Sequence, residues 1–264
     1  MTIAIIQARM GSTRLPGKVL KIVEGLPDRR AGKTLLEHLI LRVLRAKTLD
    51  KIVVATTENP EDEAVASEAA KLGVDVFCGS EEDVLDRYYQ AAKKYGADIV
   101  VRLTGDCPLM DPAIIDEVVG FYQKNKDKYD YVSNVRPPTY PDGMDVEVFS
   151  FAVLEKAWKE AKLTSEREHV TAYIGNHPEI FKIGNIEYKK DVSNIRLTVD
   201  NPEDLILVEK IFIALNKKNG NFGLEDILDV LDKNPEIAKI NQTIKRNEGY
   251  EKSLKNDKNG NLIK

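Results

Sequence analysis

An α/β protein with a doubly wound, mostly parallel sheet is predicted by three features of the sequence. The chain opens on an apolar run, Ile3-Ala4-Ile5-Ile6, that passes directly into a basic glycine loop, Gln7 to Lys18. Short β-branched runs then alternate with helical patterns, the rhythm of β-loop-α-β units. Finally, two aspartates, Asp106 and Asp200, each stand just past a strand-like run, where open α/β sheets present residues to ligands.

The elements follow in order. Thr34-Leu35-Leu36-Glu37 is a capping box that opens a helix through about Lys47, and Lys51 to Thr56 is a strand. A helix from Pro60 to Leu72 is stopped by Gly73, and Asp75 to Phe77 is a short strand. A helix from Asp83 to Tyr95 is stopped by Gly96 and leads to the strand Asp98 to Leu103. Pro112 to about Lys124 reads as a helix and Tyr129 to Ser133 as a strand.

Val135 to Asp145 carries three prolines and a glycine, the composition of a long loop that lines or closes over a site. Beyond it the pattern gives a strand from Val146 to Phe149, helices at Phe151 to Glu160 and Glu166 to Asn176, a strand from Ile195 to Val199, and a helix begun by Asp200-Asn201-Pro202. The last fifty or so residues are helical and increasingly charged. Residues 1–245 read as one domain, with acceptor or oligomerisation elements at about 135–180; 246–264 read as a polar tail that frays over Lys255 to Asn261.

Composition narrows the function. A chain of 264 residues with 42% hydrophobic content can bury a sizeable core. Its 39 Lys and Arg against 43 Asp and Glu give a net charge of −4, so nothing general attracts nucleic acid or an anionic membrane. No apolar run approaches the roughly 20 residues that span a bilayer, and no signal core follows the N-terminus. The cytoplasm is the expected compartment, with Cys78 and Cys107 reduced.

Any anion site must therefore be local, and the first loop supplies one. Arg9, Arg14 and Lys18, with the backbone N–H groups of a glycine loop, can surround a polyphosphate. The spacing is neither a Walker loop nor a dinucleotide fingerprint. A triphosphate carries about four negative charges, and a carboxylate 4 Å from one of them is repelled by about 4 kcal/mol at an effective dielectric near 20. Asp106 and Asp200 beside such a ligand require a cation, and Mg²⁺ prefers one or two carboxylates plus phosphate oxygens and water.

Ala8 to Lys18, Leu103-Thr104-Gly105-Asp106-Cys107-Pro108 and Thr198-Val199-Asp200 together resemble the CMP-sugar synthetases, among them acylneuraminate and 3-deoxy-manno-octulosonate cytidylyltransferases. Asp142 to Phe149, Arg167-Glu168-His169-Val170-Thr171 and Arg246-Asn247-Glu248-Gly249-Tyr250 are similar to the branch called spore-coat polysaccharide biosynthesis protein F. The likeness covers nearly the whole chain. It implies a Rossmann-like GT-A nucleotidyltransferase that uses CTP and a sugar or sugar-acid hydroxyl, releases pyrophosphate and leaves a CMP-activated sugar for surface polysaccharide or glycoconjugate synthesis. Sugar-acid enzymes often carry Gln where this chain has Thr104.

On that reading Lys18, Arg9 and Asp106 are catalytic. Ala8, Arg9, Gly11, Ser12, Arg14, Lys18, Thr56, Arg87 and Thr104 bind nucleotide, and Asp106 and Asp200 hold Mg²⁺. Asp142, Asp145, Glu147, Arg167 and His169 face the acceptor, with Asp145 or Glu147 open as general base or metal ligand. His169 equally reads as structural, following a capping box at Ser165. A homodimer is the family's frequent state. Three alternatives stay open: another triphosphate or a phosphorylated or phosphonate acceptor, a silent nucleotide-binding subunit, and a glycosyltransferase on a similar fold.

Overall fold

The first strand, β1 (Thr2–Gln7), lies in the interior of a seven-stranded sheet, flanked on both sides by parallel strands. The computed structural model describes residues 1–23, 32–218 and 220–258. With β2 (Lys51–Thr57), β3 (Asp75–Gly79), β4 (Ile99–Thr104), β5 (Tyr131–Ser133), β6 (Glu147–Ser150) and β7 (Ile183–Asn185), the order is β3-β2-β1-β4-β6-β5-β7. Pairing is parallel except where β6 runs against β4 and β5. The predicted fold class is the one observed.

Alternation along β1 divides the core. Ala4 and Ile6 pack on one face with α1 (Leu35–Val43), α2 (Glu63–Lys71), α4 (Pro112–Asn125), α8 (Pro202–Ala214) and α9 (Leu224–Lys233). Ile3 and Ile5 pack on the other with α3 (Val84–Tyr95), α5 (Phe151–Glu160) and α7 (Ala172–Asn176). Local signals set the helix ends. The Thr34 hydroxyl accepts from Glu37 N at 3.0 Å, Asp83 accepts from Asp86 N at 2.8 Å, and Gly96 ends α3 at φ 67°.

Four expectations are revised. The run Ile195 to Val199 is extended but joins no strand of the sheet: Leu197 N donates to Asp142 O at 2.6 Å and Val199 N to Asp106 O at 2.8 Å, so it pairs with loops, leaving one isolated bridge between Asp142 and Arg196. The helix expected over 166–176 is two, α6 (Thr164–Glu168) and α7, separated where Val170 takes a φ of 48°. Its start is capped through Glu166, whose carboxylate accepts from Leu163 N at 3.1 Å, and Ser165 lies inside α6. The strand β7 carried no pattern long enough to read.

The fourth concerns the polar tail. Residues 235–238 form α10 (Pro235–Ala238), and Glu248–Lys258 form α11, which docks on α6 through buried Ser253. The helix holds because Asp257 accepts from Ser165 N at 3.0 Å, a partner 92 residues away that charge density alone does not reveal. Asn259 to Asn261 of the expected frayed run lie outside the described residues. Among the described residues no helix is long and apolar enough to cross a membrane.

Gly143 makes the contact between the long loop and the 195–200 segment possible. It adopts φ 102°, and a Cβ there would stand 2.6 Å from Thr198 N and 2.7 Å from Leu197 C. Gly143→Ala is expected to lower Tm by about 2–10 °C, from about 1–3 kcal/mol of backbone strain with the clash added. Gly73, at φ 75° with nothing within 4 Å of a Cβ, isolates the strain alone. Calorimetry showing no greater loss for Gly143→Ala than for Gly73→Ala would separate the two segments.

Candidate functional site

β1 and β4 are parallel neighbours in a register that sets Gln7 opposite Thr104, so the glycine loop and Asp106 leave the sheet side by side at its carboxyl edge. Gly105 lets them meet: its N–H donates to Gln7 O at 2.8 Å, and a Cβ would lie 2.8 Å from the Ala8 Cβ. Lys18 sits in a 3-10 turn, Lys18–Leu20, that follows the left-handed Gly17 at φ 66°. That turn carries its side chain back across the strand ends.

The Lys18 ammonium lies 2.7 Å from Asp106 Oδ2 and 2.7 Å from Asp200 Oδ1, with 11% of the side chain exposed. Burial opposes the charge on Asp106, but Lys18 outweighs it and holds the carboxyl down at about 2. Burial likewise works against the Lys18 ammonium, and the two aspartates together overcome it and raise its pKa. Lys18 and Asp106 are therefore both ionised at neutral pH.

Asp200 has three cationic partners. Besides Lys18 it meets Arg14 Nη2 at 2.8 Å and Arg196 Nη2 at 2.7 Å. Arg196, 6% exposed, also holds Asp142 at 2.7 Å and Asp204 at 3.0 Å, which ties the long loop to the start of α8. At the end of the long loop Asp145 pairs with Arg246 at 2.6 Å. Burial pushes the Asp145 carboxyl up to about 7 against the pull of Arg246, with Asp142 and Glu147 adding to the rise.

The nucleotide side of the loop has its own wall. Arg9 pairs with Glu81 at 2.9 Å, which also accepts from Asn59 Nδ2 at 2.6 Å. Met10 N donates to Asp62 Oδ1 at 2.6 Å. Arg87 is 2% exposed; its Nη1 donates to Ser80 O at 2.9 Å while its Nε is buried without a partner. Thr56 Oγ1 is buried and also lacks one. Ser12 N is spent within the loop, on Met10 O at 2.8 Å; Gly11 stands near Glu81; Thr104 Oγ1 lies 3.1 Å from Cys107 Sγ.

Lys18, Arg14, Asp106 and Asp200 are thus brought to one point, with Asp142 joined through Arg196. Three acceptor candidates are placed in bonds within the fold. Glu147 accepts from Arg102, Tyr131 and Thr171 beneath the long loop, and these donors hold its carboxyl low despite burial. Arg167 grips Asp83 and the Trp158 carbonyl, bracing α3 against α5 and α6. His169 Nε2 lies 3.0 Å from Ser253 Oγ, and burial lowers its pKa.

Sequence reading missed Asp62, Glu81, Arg196, Arg246 and Glu248 as members of the site. Of these, Arg196 carried a signal, standing four residues before Asp200 in the same extended run, and Arg246 and Glu248 stood in a motif that pointed to the family but not to the site. The donor set suits a magnesium ion: two carboxylates converge where a single cationic atom already rests, and Asp106 Oδ1 meets Cys107 Sγ at 3.5 Å. Among the described residues no group of three or more His, Cys, Asp or Glu is placed to hold a metal ion by itself.

The sequence profile of the cytidylyltransferase family matches residues 3–245. An uncharacterized protein of Methanocaldococcus jannaschii is 43% identical over 248 residues, covering 92% of this chain and 96% of that one. The spore coat polysaccharide biosynthesis protein SpsF of Bacillus subtilis is 32% identical over 241 residues, covering 89% and 95%. A solved cytidylyltransferase from Leptospira borgpetersenii superposes with a TM-score of 0.84 at 38% identity, covering 93% of this chain and 99% of that one.

Asp145 gives the stability of the fold a measurable pH dependence. Its folded pKa of about 7 lies above the unfolded value near 3.9, so the folded chain keeps a proton that the unfolded chain releases. That contribution is full below about pH 4 and lost as pH rises through about 7. Urea denaturation of wild type and Asp145→Asn should therefore show wild type losing about 1–3 kcal/mol relative to the variant between pH 5 and pH 8. A difference constant with pH would put the Asp145 carboxyl in its ordinary range.

Proposed function

Because this chain belongs to the cytidylyltransferase family, we propose that it transfers CMP from CTP to the anomeric hydroxyl of a sugar or sugar acid, releases pyrophosphate, and serves surface polysaccharide or glycoconjugate synthesis. The observation that carries this reading is the Lys18 ammonium 2.7 Å from both Asp106 and Asp200 at the foot of the basic loop. Nucleotidyl transfer needs little covalent chemistry from a protein; charge neutralisation and positioning supply most of the rate.

Arg9 and Arg14 bind the β- and γ-phosphates, and Lys18 neutralises the charge that grows on the bridging oxygen as the bond from the α-phosphorus to it breaks. The acceptor oxygen forms the new bond to that phosphorus from the opposite side, and pyrophosphate leaves. Asp145 takes the hydroxyl proton: a carboxyl near pKa 7 is matched to that task at neutral pH. Thr56 and Arg87 offer the buried, unpartnered polar atoms for the nucleoside end. Asp106 and Asp200 would hold Mg²⁺, which supplies Lewis-acid polarisation of phosphate oxygen when bound.

The test is pyrophosphate release with CTP, UTP, ATP or GTP, Mg²⁺ and a mixed pool of sugars and sugar acids. Release confined to CTP is expected. Lys18→Met and Asp106→Asn should each lower kcat by about 10²–10³-fold, with retained circular dichroism showing that the fold survives. Near-normal turnover of Lys18→Met would remove that residue from the chemistry, and release with a different triphosphate would reassign the base.

A further inference from the structure

The segment that ends the described chain is tied to the site from one side to the other. The Asn241 amide donates to Arg196 O at 3.1 Å and Asp204 Oδ1 at 2.8 Å. Arg246 then reaches the acceptor side, donating to Asp145 at 2.6 Å and to Tyr140 O at 3.2 Å. Asn247, at φ 62°, turns the chain back into α11. Glu248 Oε2 accepts from Arg14 Nη1 at 3.0 Å, within the phosphate loop itself. Past that point Ser253 lies between His169 and Glu168, and the Tyr250 ring meets His169 edge-on at 5.1 Å.

These anchors differ in kind. Ser253 is 3% exposed and uncharged, and it fixes the middle of α11 on α6. The Glu248 contact is an ion pair with 43% of the glutamate and 35% of the arginine side chain exposed. Exposed ion pairs are weak and easily exchanged. Arg14 is held at its other nitrogen by Asp200 at 2.8 Å, so in this structure the guanidinium is occupied at both ends by carboxylates. A polyphosphate brings oxygens of greater charge to the same planar fork, which suits phosphate as well as carboxylate.

Building on the nucleotidyl-transfer reading, we propose that Glu248 is a positioning residue for Arg14: it holds the guanidinium in the empty site, yields it to the β- and γ-phosphates as CTP enters, and takes it back as pyrophosphate leaves. The N-terminal turn of α11 is then an exchangeable latch on the phosphate loop, while its Ser253 anchor stays seated. A carboxylate in the first turn of a helix also favours that helix, so the test must register Arg14 and not merely the stability of α11.

Calorimetric titration with inorganic pyrophosphate, CTP and CMP in the presence of Mg²⁺ separates these roles. Glu248→Gln should tighten pyrophosphate and CTP by about two- to fivefold, the range for one exposed charge contact, and leave CMP unchanged because it has no β- or γ-phosphate. Glu248→Asp should return affinity toward wild type. In an Arg14→Ala background Glu248→Gln should have no effect. Hydrogen exchange at the amides of 248–252 should quicken when pyrophosphate is added to wild type.

Unchanged or weaker pyrophosphate binding by Glu248→Gln, or tightening that persists without Arg14, overturns the latch while CTP binding by wild type leaves the functional reading standing. Wild type that binds neither CTP nor pyrophosphate overturns both.

Discussion

The arrangement of this site depends on one ammonium shared by two carboxylates. Lys18, Asp106 and Asp200 come from the first loop, the end of β4 and the extended run before α8, and no local interaction would bring them together. Burying three charged groups is costly unless they are paired and hydrogen-bonded. Here each carboxylate reaches the same nitrogen at 2.7 Å, and Arg14 and Arg196 complete the neutralisation of Asp200. Removing the lysine alone would leave two half-buried aspartates without their shared cation, so the cluster constrains the loop, the strand end and α8 jointly.

That dependence explains what could be read in the sequence. Elements whose signal is local were legible: Thr34, Asp83 and Gly96 mark helix ends through bonds to residues a turn or less away, and β1, β2 and β4 are continuous apolar runs because both faces of a central strand are covered. Elements defined by a distant partner were not. Residues 195–199 have a strand's composition, yet their N–H groups go to Asp142 and Asp106, so they extend a loop wall and no ladder. α11 is charged enough to pass for a tail until Ser165 and His169 supply its partners.

The same division runs through the site. Lys18 and Asp106 were legible because each follows a strand of the sheet, and such positions collect at the carboxyl edge of an open sheet; Asp200 was legible from a strand-like run that in fact pairs with Asp142 and Asp106. Arg246 and Glu248 sit in a polar stretch whose position over the site is a tertiary fact, and Asp62 and Glu81 are ordinary acids until the loop folds onto them. Glu147 shows the converse. Its place on a strand beside Asp142 and Asp145 suggested an acceptor contact, but antiparallel pairing sets it opposite Arg102, and Tyr131 and Thr171 complete its shell.

The long loop and β6 consequently carry carboxylates that each own an arginine: Asp142 with Arg196, Asp145 with Arg246, Glu147 with Arg102. These pairs differ in how readily they open. Glu147 and Arg102 keep 5% and 14% of their side chains exposed and have further protein donors around them, so breaking that pair would strand a buried charge. Asp142 is fixed by an arginine that also serves Asp200 and Asp204, so opening it would disturb the cluster around Lys18. Asp145 is 30% exposed and its partner belongs to the C-terminal segment, where Glu248, two residues on, makes an exposed ion pair with Arg14 of the first loop. Of the three, the Asp145–Arg246 pair is the one that parts at least cost.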